Sequence, residues 1–149
     1  MTETLPRLEL KNIVRQFDGQ TVVDGISLKL YAGEVTCLLG PSGCGKSTTL
    51  RIAAGVDRQN GGEVLVDGQV ISDGQSHLPP EKRSIGLMFQ DFALFPHLSV
   101  LQNVAFGLKS ADKYDVAKVL LDKVGLLSFA DKFPHMLSGG EQQMVAIGR

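Results

Sequence analysis

Cysteine is scarce in this 149-residue chain, with Cys37 and Cys44 its two thiols. Two are too few for a disulfide framework, and the count suits a reducing compartment. A basic excess is also missing. Fifteen Lys and Arg stand against sixteen Asp and Glu, a formal net charge of −1. That balance argues against a bulk nucleic-acid binder. No apolar run approaches the about eighteen residues that a membrane span needs. The start, Met1-Thr2-Glu3-Thr4, has neither the basic residues nor the following apolar segment of a signal peptide. What is present is enough for a core: 43% of residues are hydrophobic and 21% charged. The expectation is a soluble, cytoplasmic chain of single-domain length. Glycine is abundant, at seventeen residues, and its placement carries the rest.

The first part of the chain reads as strands. Leu8, Leu10 and Ile13 open one. Val22-Val23 and Ile26 to Leu30 follow, with Asp18-Gly19 and Asp24-Gly25 as turns. Glu34 to Leu39 is a short apolar run ending at a glycine, as a buried strand should. A helix is predicted over Lys46 to Ala54. Gly61-Gly62, Asp67-Gly68 and Asp73-Gly74 bracket short strands, among them Val64-Leu65-Val66, and Ser84 to Phe89 is a further apolar strand. After about Asp91 the character turns helical. Ser99 and Gln102 have capping-box spacing and start a helix toward Leu108. Val116, Val119, Leu120 and Val124 mark one face of a second helix, and Ser138 to Arg149 begins a third. The pattern is a β-rich lobe, then a helical insertion over about 91–137.

Gly40-Pro41-Ser42-Gly43-Cys44-Gly45-Lys46-Ser47 matches G-x-x-x-x-G-K-[ST] in full, between an expected strand and an expected helix. Glycines let the backbone curl so that successive N–H groups point inward at phosphate oxygens. The helix that follows, with Thr48 in its first turn, adds free donors and the positive end of its dipole. Lys46 reaches the β- and γ-phosphates as a point charge, and the Ser47 hydroxyl suits Mg²⁺ bridging them. The plain alternative is an ordinary glycine-rich turn. Cys44 reads as loop filler rather than a nucleophile.

A second glycine motif narrows the class. In Leu137-Ser138-Gly139-Gly140-Glu141-Gln142-Gln143, Ser138 and Glu141 have capping-box spacing, so Ser138 is the expected N-cap. Gly139 and Gly140 leave the first turn bare, open to a phosphate or simply flexible. A GTPase would carry Asn-Lys-x-Asp to read its base, and that tetrapeptide does not occur.

With these residues in order, the chain resembles the ATP-binding subunits of ABC transporters along nearly its whole length. Gly40 to Ser47 looks like the family's Walker A, Gln90 like its Q-loop glutamine, and Leu137 to Gln142 like its signature motif. Phe17, before Asp18-Gly19, looks like the aromatic that stacks on adenine, although a strand-end core aromatic is the other reading. Gln90 to Val100 is similar to importer subunits, especially the group serving ferric iron, polyamines and sugars. The fold implied is α/β, a P-loop NTPase of the ABC type with an antiparallel β lobe and a helical subdomain. ATP and Mg²⁺ are the implied cofactors, with Ser47 and Gln90 at the metal. The implied partners are a second ATP-binding subunit, head to tail, and membrane permease subunits met through the Q-loop and helical subdomain. Ser138, Gly139, Gly140 and Glu141 would then act on the partner's nucleotide. The resemblance implies a cytoplasmic protein, peripheral on the inner face of the membrane, with no solute contact of its own. The solute itself is not readable.

Two departures stand in the last helix. Met144 sits where the family often has arginine, and Gly148 where it often has alanine. Glycine in a helix interior costs about 1 kcal/mol, so a weakened helix is expected. The family's acidic strand end is also not found. Val64-Leu65-Val66-Asp67 is nearest, but Gly68 makes it a hairpin turn, and Val119-Leu120-Leu121-Asp122 is helix-periodic. His77, His97 and His135 all precede the signature, so none matches the switch histidine; His97 and His135 read as packing or surface residues. The expectation is an N-terminal piece of an ABC ATPase, incomplete in its core strands, that binds nucleotide without efficient hydrolysis. Its apportionment is about 1–90 for the nucleotide lobe, 91–137 for the helical part and 138–149 for the start of the signature helix.

Overall fold

The computed structural model describes residues 5–149, and the Met1-Thr2-Glu3-Thr4 start lies outside them. The chain forms two compact units, one up to Leu87 and one from Met88 to Arg149.

The first unit is built on a four-stranded antiparallel sheet of order β2-β1-β3-β4. Its strands are β1 (Leu8–Phe17), β2 (Gln20–Leu30), β3 (Gly61–Val66) and β4 (Gln69–Ser72). Asp18-Gly19 and Asp67-Gly68 close two-residue hairpins. Both positions of each have positive φ, 48° and 81° in one and 50° and 78° in the other. That conformation matches the twist of the paired strands. In β1, Leu10 and Ile13 are both fully buried, although residues three apart face opposite ways in a regular strand. A bulge resolves this. Asn12 takes φ 49°, and the pairing with β2 shifts between Leu10 and Ile13. The Asn12 amide, freed from the ladder, donates to Ser27 Oγ at 2.9 Å.

Asp24-Gly25, expected as a turn, is not one. β2 runs through it, with Gly25 at φ 64° and a register shift where Val23 and Ile26 meet β1. This second bulge puts Val23 and Ile26 against the same core. Leu10, Ile13, Val23 and Val64 pack with Ile52 and Ala53 of α1 (Lys46–Ala54).

Two expected strands do not form. Glu34 to Leu39 and Ser84 to Phe89 have no regular structure, and Val35 and Leu39 are 92% and 91% exposed. A strand must exchange backbone hydrogen bonds with a neighbour. Among the described residues neither segment pairs with the sheet. Thr36 and Leu38 instead line, with Leu10, Leu28 and Leu50, an open apolar groove of about 60 Å³.

Behind α1 lies a buried polar network that no local pattern announces. Arg83 is 7% exposed. Its Nη1 donates to the carbonyls of Ile52 and Ala53, each at 2.9 Å, and its Nε to Leu78 O at 2.7 Å. One guanidinium thus terminates α1, where the last carbonyls lack intrahelical donors. Gly55 must be glycine: its φ is 85°, and a Cβ would run into the Arg83 side chain. His77 completes the arrangement, with Nε2 3.1 Å from Gly55 O and Nδ1 3.3 Å from Arg83 Nη2. A carbonyl only accepts and a guanidinium only donates, so the imidazole proton sits on Nε2.

The second unit is helical. It contains α2 (Val100–Ala105), α3 (Lys113–Lys123) and α4 (Gly139–Gly148) around Val100, Val104, Ala117, Leu121, Leu137 and Val145. The Ser99–Gln102 capping box is present, each side chain bonded to the other's backbone. α2 ends at Ala105, short of Leu108, because Phe106 and Leu108 amides turn back to Asn103 and Ala105 carbonyls. The buried face of α3 is Ala117 and Leu121, while Val119 is 56% exposed. Leu120 and Val124 of the expected face pack against the core beside it, partly buried. α4 forms without a break, and Gly148 is its last residue, where little helix remains to destabilise.

Removing the fork that ends α1 tests the network. Arg83→Ala leaves up to two carbonyls without donors, since Ile52 O keeps the Gly55 amide, and should cost about 2–4 kcal/mol in urea unfolding. Arg83→Lys should recover only part, since an ammonium cannot span the same geometry. An unchanged midpoint in Arg83→Ala would show that the carbonyls find other partners.

Candidate functional site

The loop from Gly40 to Gly45 leads directly into α1. Its last glycine is fixed by contact. Gly45 has φ 91°, and a Cβ there would come within 2.5 Å of Val22 O on β2. The loop-to-helix junction therefore rests on the sheet backbone, and only glycine fits. Gly43 also takes positive φ, 82°. Thr49, buried, donates its amide and its hydroxyl to Gly45 O, both at 2.9 Å. That amide makes the helix's first i→i−4 bond. The amides of Lys46, Ser47 and Thr48 precede it and have no helical acceptor.

Lys46 Nζ folds across the loop and donates to Gly40 O and Pro41 O, each at 2.7 Å, with Cys44 Sγ at 3.4 Å. Pro41, Ser42, Gly43 and Cys44 are exposed around it. The arrangement is a cation at the centre of a curled backbone, next to free helix donors. Chemically it is an anion cradle. Ser47 is exposed in the first helical turn and offers a hydroxyl oxygen. A hard oxygen donor there fits Mg²⁺.

Phe17, at the end of β1, is 40% exposed, not a core aromatic. Arg15 covers one side of its ring at 4.2 Å. The other expected residues belong to the second unit. Gln90 is exposed in a turn. Ser138 caps α4: its amide and hydroxyl donate to Glu141 Oε2 at 2.7 and 2.9 Å, and Glu141 N donates back to Ser138 Oγ. These bonds, the Ser138 backbone amide first, hold the Glu141 carboxyl below its ordinary pKa. A Cβ at Gly139 or Gly140 would meet nothing within 4 Å, so the first turn is open. The carboxylates weighed for the metal are committed elsewhere. Asp67 sits in the β3–β4 turn, bonded to Arg7 Nη1 at 2.7 and 2.8 Å, and Asp122 lies on α3. His97 and His135 are exposed beside Phe95 and Phe133.

Sequence reasoning passed over Arg83 and Asn103, and weighed His77 only against the switch histidine. Asn103 carried a signal, a polar residue between Val100 and Val104 on a buried face. Arg83 and His77 carried none, since the carbonyls of Ile52, Ala53 and Gly55 that they reach are distant in sequence.

A glycine-rich loop that curls into a helix beside an antiparallel sheet is a candidate phosphate-binding loop. The family model described as "ABC transporter" matches residues 23–149. The chain is 46% identical over 149 residues to "Putrescine transport ATP-binding protein PotG" of Escherichia coli, covering 97% of this chain and 38% of that protein. It is 47% identical over 147 residues to "Spermidine/putrescine import ATP-binding protein PotA" of Nitrosospira multiformis, covering 95% and 39%. It thus spans about two fifths of the length of these curated relatives. Among solved structures, the dimeric post-hydrolysis state of the ATP-binding cassette MJ0796 bound to ADP and Pi matches with a TM-score of 0.80. That match is 31% identical and covers 95% of this chain and 67% of that one. The chain belongs to the ABC transporter family, and its fold is that of part of an ABC ATPase cassette.

The cap of α4 sets an acid limit. Glu141's lowered pKa means that the unfolded chain binds more protons than the native one below about pH 4.5. Its contribution is therefore complete above that value and is lost as pH falls through the lower native one. Thermal unfolding from pH 6 to pH 3 should fall less steeply in Glu141→Gln than in wild type. Asp73, lowered by the Ser76 and Gln75 amides, should keep its own share of the slope in both.

Proposed function

We propose that this chain is the ATP-binding portion of an ABC importer subunit, coupling nucleotide binding to solute uptake through membrane permease subunits. The observation that carries the reading is the cradle. Gly45 is pressed on β2, three helix amides lack acceptors, and Lys46 stands over the loop carbonyls. The names of the relatives, putrescine and spermidine/putrescine import proteins, point to polyamines as the solute class.

The amides of the loop and of Lys46 to Thr48 bind the phosphate oxygens, and Lys46 exchanges its carbonyl partners for the β- and γ-phosphates. Ser47 would hold Mg²⁺, which would neutralise phosphate charge when bound. Phe17 offers the adenine a ring face whose other side is already occupied by Arg15. The open turn of Ser138, Gly139 and Gly140 presents donors to the nucleotide of a second subunit, head to tail. The loop after Gln90 and the helical unit meet the permease, on the cytoplasmic face of the membrane.

Turnover by this chain alone is proposed to be near background. Asp67, the carboxylate nearest in pattern to the metal-orienting acid, is paired with Arg7 in a hairpin turn. A positioned general base is typically worth about 10²–10⁴ in rate.

Calorimetry tests the cradle. Lys46→Ala removes a charge-assisted contact and should weaken ATP binding roughly 10- to 150-fold. Equal affinity would sink the reading. Phe17→Ala should weaken it by about 1–3 kcal/mol and Phe17→Tyr hardly at all. In a phosphate-release assay, the purified chain should bind ATP without sustained turnover. Turnover abolished by Lys46→Ala would mean that a carboxylate does reach the phosphates.

A further inference from the structure

Phe92 and Ala93, just after Gln90, have φ 61° and 47°. Left-handed backbone is unfavourable for residues with a Cβ, and it persists where the surroundings over-determine it. One side chain bonds this pair directly, and another holds the segment that follows it. Asn103, fully buried in α2, accepts from Phe95 N at 2.8 Å through Oδ1. Its Nδ2 lies within 3.1 Å of the carbonyls of Phe95, Leu98 and Ser99. The other is Arg149, which directly follows α4. Its Nη1 donates to Ala93 O at 2.5 Å, and its guanidinium lies 4.5 Å from the Phe95 ring centroid and 5.8 Å from that of Phe106. The two rings pack together at 4.4 Å. A planar cation that stacks on an aromatic face while its edge donates to a carbonyl is a use lysine cannot reproduce.

Asn103 thus anchors the far side of the turn to α2, while Arg149 anchors its strained near side to α4. The helix whose first turn is Ser138, Gly139 and Gly140 ends on the carbonyl of the residue three after Gln90. We propose that Arg149 is a positioning residue: it clamps the turn carrying Gln90 to the end of the signature helix, so that a displacement of one is imposed on the other. The proposal rests on the roles given above to Gln90 and to Ser138–Gly140, and adds to them the side chain that links the two.

The test is residue-resolved amide exchange on the 149-residue chain without nucleotide, so the outcome is independent of whether Gln90 acts on ATP. The reporters are Phe92 N, which donates to Phe89 O at 3.0 Å, and Phe95 N. In Arg149→Ala, Phe92 should exchange about tenfold faster or more, and Phe95 less markedly because Asn103 still holds it. Val104 and Leu121 amides in the helical core should stay within about twofold of wild type. Arg149→Lys keeps a donor for Ala93 O and should restore part of the Phe92 protection. Phe92 exchange unchanged in Arg149→Ala would overturn the clamp. So would a uniform acceleration of Phe92, Val104 and Leu121, which would make Arg149 a general packing residue.

Discussion

The close approach of Gly45 to the carbonyl of Val22 fixes where the phosphate loop becomes a helix. No side chain fits between them, so the junction is held by backbone against backbone. Everything at the site follows from that contact. The direction of α1, the free amides of its first turn and the reach of Lys46 are all measured from a point anchored on β2. The two bulges serve the same end. By re-phasing β1 at Asn12 and β2 at Asp24-Gly25, they bring Ile13 and Val23 into the core on which Ile52 and Ala53 rest.

Polar groups are buried at two further places, each with its hydrogen bonds satisfied. Arg83 ends α1 by donating to its last carbonyls, and burial holds its pKa below the ordinary arginine range. Asn103 does the corresponding work in the helical unit, fastening an irregular loop to a regular helix. Such groups specify geometry because leaving any one partner unpaired is costly. They also explain why irregular segments next to them keep a defined shape without regular hydrogen bonding.

What was legible in the sequence was whatever depends on neighbours in the chain. The cradle from Gly40 to Ser47, the Asp18-Gly19 and Asp67-Gly68 turns, and the caps at Ser99 and Ser138 are local devices, and they stand where spacing put them. The expected strands at 34–39 and 84–89 failed for the opposite reason. An apolar run shows that a segment suits a sheet, and pairing requires a neighbour that the run cannot supply. The Asp24-Gly25 turn was misread because a dipeptide suited to a hairpin is equally suited to a bulge. Arg83 and His77, and the link between Arg149 and Phe95, depend on partners that only the tertiary fold brings near. No local pattern encodes them.

Lys46 bonded to the carbonyls of Gly40 and Pro41 has a consequence for how the site fills. The loop is already wrapped around a cation, so its curvature is present before any phosphate arrives. An incoming anion finds a template and has little backbone entropy to remove. It must, however, draw the ammonium away from two good acceptors, which makes the net enthalpy of that contact smaller than the ion pair alone would suggest. On the proposed function the lysine is both scaffold and ligand-binding group, and a neutral isostere of its length would lose the template as well as the charge.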